Sequence, residues 1–452
     1  MRGRSMATVA LCAAAGMVTA AVAWPANAAT VPGVSPAAEQ LGRQALPAGD
    51  GWAAAGSGTT GGSAADAAHV AVARNRAELV AALGGDNATN GRNATPKIVY
   101  VSGRFSVSVD AANAPLSCAD YADPEYSLPA YLAAYDPAVW GRATRPTGPV
   151  EDARLRSARR QTDQIRINVG SNTTIIGING ARIEHANLNL ANVSNVIVRN
   201  IEFTDAADCF PSWDPTDGAA GNWNSLYDLV TLTGATNVWV DHNTFSDGNN
   251  HDAEQPRYFD RPFQVHDGAL DIIRASDLVT VSYNNFYDHD KTTLIGSTDT
   301  VGADVGKLRV TVHHNRYANV SQRAPRVRFG QVDLYNNYYI ATDEESYSYS
   351  IGVGIQSQIH AENNFFVRSA DVPAGNLIKF WKGTRLTAIG TLVKVGSQPA
   401  RPVDLVAEHN ALNDPDFEPD AGWTPTLRNR VDATADVPRI VNTSAGARKL
   451  GV

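Results

Sequence analysis

The chain has 452 residues, a net charge of −8 and 43% hydrophobic residues, with 19% charged. An acidic chain gains no overall attraction for a polyanion, which argues against nucleic acid as a partner and requires any acidic ligand to be held by a local basic patch or a bound cation. The length is great for one compact core but not for a solenoid, whose core grows along a single axis.

Arg2 and Arg4 open a basic start, an apolar stretch runs from Met6 to Trp24, and Ala26-Asn27-Ala28 has the small-x-small form of a cleavage site. Residues 1–28 are therefore expected to be a secretory signal peptide, giving an extracellular protein without a membrane span. Residues 29–65 are rich in Ala, Gly, Ser and Thr and are expected to form a flexible leader. Order is expected over 66–452. Asn75 caps a short helix ending by Gly84, and Lys97–Val101 reads as a first strand. A polar insertion follows over 103–165. Such a segment covers a surface or caps an end. Cys118 and Cys209 remain after the signal is removed. In an exported protein they read as one disulfide, the alternative being two buried thiols.

From residue 172 onward one template recurs: apolar, x, apolar, x, x, Asn, x, aromatic. VWVDHNTF (238–245), VTVSYNNF (279–286), VTVHHNRY (310–317), VDLYNNYY (332–339) and IHAENNFF (359–366) carry it. The aligned asparagines are Asn243, Asn284, Asn315, Asn337 and Asn364, spaced by 41, 31, 22 and 27 residues. Residues 196–203 fit the apolar positions but have Ile201 in place of Asn. A short strand repeat of about 22 residues with inserted loops indicates an all-β solenoid with stacked asparagines, against the alternative of a β-sandwich. The core motifs span 165–370. Insertions at 205–225 and 246–266 are expected to wall a cleft on one face.

Asp228, Asp267 and Asp271 lie at similar phases of adjacent coils, and a spacing of four puts Asp267 and Asp271 on one side of a strand. Converging carboxylates repel unless a hard cation joins them, and an oxygen-only set suits calcium. The alternative is three solvated carboxylates. Arg323, Arg326 and Arg328 fall within six residues, with Lys291 one coil earlier. Such a cluster suits carboxylate recognition, although any single Arg is more commonly a structural ion-pair partner.

These segments resemble the pectate lyases, strongly over 165–340 and thinly over 70–440. Val238-Trp239-Val240-Asp241-His242 and Arg323-Ala324-Pro325-Arg326-Val327-Arg328 match the family's two signatures. The resemblance implies a right-handed parallel β-helix and calcium-dependent β-elimination of polygalacturonate. It implies Arg323 as catalytic base, Lys291 and Arg328 at the substrate, and Asp228, Asp267 and Asp271 on calcium. Asp241 is expected to be structural. Retention of all three aspartates favours the pectate branch over the calcium-free pectin lyases. A monomer is expected. A glycoside hydrolase on the same fold and a non-catalytic adhesin are the rival readings.

Overall fold

A computed structural model describes residues 31–300, 302–342 and 346–452. The expected signal peptide lies outside the described residues. Strands pair almost entirely in parallel, in one sheet of eighteen strands and one of eight. The eight strands of the smaller sheet are numbered here β1 (Arg166–Asn168), β2 (Asn187–Ala191), β3 (Val230–Thr233), β4 (Leu270–Ile273), β5 (Leu294–Ile295), β6 (Arg326–Val327), β7 (Ile351–Gly354) and β8 (Ile378–Trp381). Most coils contribute one of them and then two strands to the larger sheet, as in Leu270–Ile273, Asp277–Ser282 and Asn285–Lys291. This is the solenoid expected from the repeat, in the parallel β-helix form that the resemblance implies. Its core is a continuous column of Ile, Val, Leu and aromatic residues running along the axis.

The asparagine template builds one corner of five successive coils. His242, Tyr283, His314, Asn336 and Asn363 adopt left-handed backbone, with φ between 51° and 55°, immediately before each aligned asparagine. That conformation turns the chain sharply, and the asparagine side chain then meets the backbone of the coil beside it. Asn284 Oδ1 accepts from Asn243 N at 2.8 Å, Asn315 Oδ1 from Asn284 N at 2.8 Å, Asn337 Oδ1 from Asn315 N at 3.0 Å, and Asn364 Oδ1 from Asn337 N at 2.9 Å. Asn243 Oδ1 accepts from Ile201 N, so the ladder ends where the sequence loses its asparagine. Two residues on, Phe203, Phe245, Phe286, Tyr317, Tyr339 and Phe366 stack inside, with ring centroids 4.4–5.6 Å apart. That range brackets the spacing of neighbouring strands.

The segment 31–65 differs from the expected flexible leader. Its backbone lies along the larger sheet: Thr60 N donates to Asn195 Oδ1, Ala53 N to Thr280 Oγ1 and Trp52 N to Thr311 Oγ1. Leu46 and Ala53 pack on Ile197 and Trp239. Its glycines permit this approach, since a Cβ on Gly61 would sit 2.3 Å from Thr174 Oγ1 and one on Gly51 2.5 Å from Thr280 Oγ1. The small-residue composition reflects close contact here, not freedom.

The helix at Arg76–Leu83 is capped by Asn75 and ends at Gly84. The insertion at 103–165 contains a 17-residue helix, Pro149–Ile165, whose buried face includes Arg154, Ser157 and Gln161. Gln161 Nε2 donates to Ala207 O and Arg154 Nη1 to Phe210 O. Cys118 and Cys209 form a disulfide across the same junction, tying the insertion to the loop that follows residue 205. That loop folds into a hairpin, Ser212–Asp214 with Asn222–Asn224, whose Trp213 and Trp223 pack on Tyr131 and Tyr135. Among the described residues no helix is long and apolar enough to cross a membrane.

Candidate active site

The outer face of the eight-stranded sheet gathers the charged residues. Thr231 on β3 pairs in register with Asp271 on β4. Asp228 leads into β3 and Asp267 into β4, so the three carboxylates converge from two adjacent coils. Gly268 lies between them. Its N–H donates to Asp228 Oδ1 at 2.9 Å. A Cβ there would stand 2.5 Å from Asp271 Oδ1 and 2.7 Å from Asp228 Oδ1. The absent side chain leaves a small oxygen-lined cradle.

Asp228 also accepts from Thr231 Oγ1 at 2.7 Å, and Asp271 from Leu294 N at 3.0 Å. These bonds fix the carboxylates without neutralising them. Burial pushes Asp228 up to about 6, with Asp267 adding to the rise. Burial, Asp228 and Asp267 push Asp271 well above the usual carboxylate range. Both rise because negative charge crowds a site removed from water.

Asp267 behaves differently. An isolated parallel bridge sets Gly268 beside Lys291, and Lys291 Nζ lies 3.1 Å from Asp267 Oδ1. Burial raises Asp267, but Lys291 and Arg323 outweigh it and hold it below its ordinary value. With Asp267 drawn to Lys291, no three carboxylate, imidazole or thiol groups among the described residues close on one point as a finished metal cage.

Arg323 follows the strand Arg316–Gln322 in left-handed backbone, φ 60°. Its carbonyl accepts from Thr293 N at 2.6 Å, which fixes the arginine against the neighbouring coil. Burial lowers its pKa, yet Asp267 and Asp271 outweigh burial and hold it above the ordinary value. Its Nε has no hydrogen-bond partner. Arg328 stands apart from this group: its Nε donates to Asp299 Oδ1 at 2.7 Å and its Nη1 to Gly296 O at 2.8 Å.

The wall segment 246–266 is anchored just before Asp267. His266 Nε2 lies 3.0 Å from Asp205 Oδ1, and its Nδ1 3.2 Å from Asp252 Oδ1. Burial lowers His266, but Asp205 and Asp252 raise it to about 10. A cationic imidazole thus ties both insertions together at the edge of the acidic group.

Comparison with known proteins decides the family. A family model described as pectate lyase matches residues 150–395. The pectate lyase of Bacillus subtilis (strain 168) is 44% identical over 429 residues, covering 92% of this chain and 97% of that protein. The chain belongs to the pectate lyase family. It is a polysaccharide lyase on a parallel β-helix. A solved thermostable pectate lyase is 47% identical with a TM-score of 0.88, covering 90% of this chain and 99% of its own. A pectate lyase solved with a bound hexasaccharide is 44% identical with a TM-score of 0.84, again covering 90% and 99%.

Of the residues singled out in the sequence, Asp228, Asp267, Asp271, Lys291 and Arg323 thus come together in this lyase, while Arg328 points to Asp299. Sequence reasoning missed Gly268, Thr231 and Asp299. Gly268 had a local signal, standing directly between Asp267 and Ala269 in the segment that leads into β4.

Proposed function

We propose that this enzyme is an exported, calcium-dependent pectate lyase that cleaves (1→4)-α-galacturonan by β-elimination. Asp228, Asp267 and Asp271 hold calcium in this reading, Arg323 is the base, and Lys291 and Arg328 hold substrate carboxylates. The observation that carries it is the pair of buried, unneutralised carboxylates, Asp228 and Asp271, opening beside the Lys291 and Arg323 cations. An all-oxygen donor set around the Gly268 cradle suits a hard divalent cation, and the raised pKa of both carboxylates reflects the crowded negative charge that such an ion would relieve. Bound calcium supplies charge withdrawal at the galacturonate carboxylate, which acidifies the adjacent C5–H.

The rest is the work of the protein's own residues. Arg323 removes the C5 proton. The electron pair becomes the C4–C5 double bond, the C4–O4 bond breaks, and the departing O4 takes a proton from solvent to which Arg323 later returns its own, so no water is consumed. Lys291 and Arg328 fix carboxylates as point charge and planar fork respectively.

Arginine is a base only once deprotonated. The charges that most strongly keep Arg323 protonated are Asp267 and Asp271, two of the proposed calcium ligands, with Tyr349 and Asp290 adding to them. A cation held by them would offset that pull, so that burial, which lowers an arginine, would be opposed mainly by Tyr349 and Asp290. The same event therefore readies the substrate and the base.

Incubation with polygalacturonate, followed by ultraviolet absorbance, tests the reading. We expect unsaturated product with calcium, none in excess chelator, and recovery on calcium but poor recovery on magnesium, which dehydrates reluctantly. Full activity in chelator contradicts the metal assignment. Chain cleavage with no absorbing product indicates a hydrolase.

A further inference from the structure

The column of outward-facing residues that starts at Asp271 continues beyond the catalytic group. Ile272 pairs with Ile295, which sets Asp271 level with Leu294. Leu294 pairs with Arg326, Arg326 with Gly352, and Gly352 with Lys379. The neighbouring column ends in the pair Gly354 and Trp381. Strand β7 reads Ile-Gly-Val-Gly, with Ile351 and Val353 in the core, so alternation turns both glycines outward.

Those glycines make room. A Cβ on Gly352 would lie 3.0 Å from Arg326 Cγ, and one on Gly354 3.0 Å from Arg328 Cγ and 2.1 Å from Val327 O. Both arginines therefore lean across β7. The Arg326 guanidinium reaches the Trp381 ring, 3.8 Å from its centroid. Lys379 Nζ stands 5.3 Å from the Tyr349 ring and 5.4 Å from the Trp381 ring, and donates to Ser348 Oγ at 3.2 Å. Arg328 and Lys382 share Asp299, but neither Arg326 nor Lys379 has a carboxylate partner among the described residues. Lys379 is exposed. Two unpaired cations over an aromatic floor, in a chain of net charge −8, form a site for an anion. The rings keep water from one side of the lysine, which strengthens any ion pair made there.

We propose that Lys379 and Trp381, with Arg326, form an outlying subsite for a galacturonate unit of the same polysaccharide chain, two coils beyond the catalytic arginine. This rests on the lyase reading above. Coils are about 4.8 Å apart, so Lys379 stands roughly 10 Å along the sheet from Arg326. A hexose unit is about as long as one coil step, so a long chain centred on Arg323 covers both places while a short one does not. The subsite thus selects for chain length.

The test uses the full-length enzyme, wild type and Lys379→Gln, with initial rates of unsaturated product from trigalacturonate and hexagalacturonate. We expect the ratio of kcat/KM on the hexamer to that on the trimer to fall roughly two- to fivefold in Lys379→Gln, the upper range of an exposed ion pair. Lys379→Arg should restore most of the ratio. An unchanged ratio, whether rates stay the same or fall equally on both, overturns the subsite. Wild-type enzyme giving no unsaturated product from either oligomer overturns the lyase reading instead. In that case calorimetric binding of hexagalacturonate, weakened by Lys379→Gln or not, still decides whether Lys379 holds a uronate.

Discussion

Asp241 and Asp228 are both buried aspartates of the same coil region, and their acidities move in opposite directions. Asp241 closes the strand Thr236–Asp241 on the larger sheet. Arg199 Nη2 lies 2.7 Å from its Oδ2, Ser282 Oγ donates to its Oδ1 at 2.9 Å, and His242 Nδ1 lies 2.7 Å from the same oxygen. Burial raises it, but His242 and Arg199 outweigh burial and hold it down at about 2. Asp228 receives a hydroxyl and a backbone N–H and no full positive charge of its own, and it rises to about 6. Burial alone therefore does not mark a functional carboxylate. A buried carboxylate matched by cations holds the scaffold, while one left unmatched beside a like charge is a place for something the chain does not itself provide.

The largest effect that sharpens this contrast lies on the cationic side of the cleft. Arg323→Lys keeps the charge facing Asp267 and Asp271 but moves the proton acceptor and loses the planar fork. Turnover on polygalacturonate should fall by about 10²–10⁴, the cost of displacing a positioned base, while oligogalacturonate still binds in calcium. Near-normal turnover with an intact fold places the base elsewhere, with Lys291 the next residue to change.

A smaller effect, on stability, is expected at Asp241. Its pKa is depressed in the folded state from 3.8 to about 2. The folded protein then binds fewer protons than the unfolded chain, so this contribution is present above about pH 4 and is lost as pH falls through about 2. The shift corresponds to roughly 2 kcal/mol. Asp241→Asn should lower stability by at least that, because Arg199 is left buried without its partner. Urea denaturation of both proteins at pH 7 and pH 3 measures it, and the gap should be narrower at pH 3. A variant as stable as the wild type at pH 7 breaks the scaffold half of the comparison.

What the sequence made legible follows the same division. The corners repeat one backbone event, so Asn243 to Asn364 could be aligned by eye and the ladder found where the template placed it. The leader could not be read this way, because glycine serves both loose chain and close approach, and only the threonines of distant coils distinguish them. The helix Pro149–Ile165 escaped because its buried positions include Arg154, Ser157 and Gln161, which leave no apolar stripe. At the site, residue types were legible while partners were not. Lys291 meets Asp267, and Arg326 meets Trp381, only because loops of unequal length set the coils in register.

The most direct test of the central claim is calorimetric titration of calcium into the wild-type enzyme, Asp271→Asn and Asp241→Asn at pH 8 without substrate. If unmatched carboxylates are the ones that bind, wild type and Asp241→Asn should titrate alike, while Asp271→Asn should lose most of its affinity, at least tenfold. Loss of calcium binding in Asp241→Asn with retention in Asp271→Asn would contradict the account.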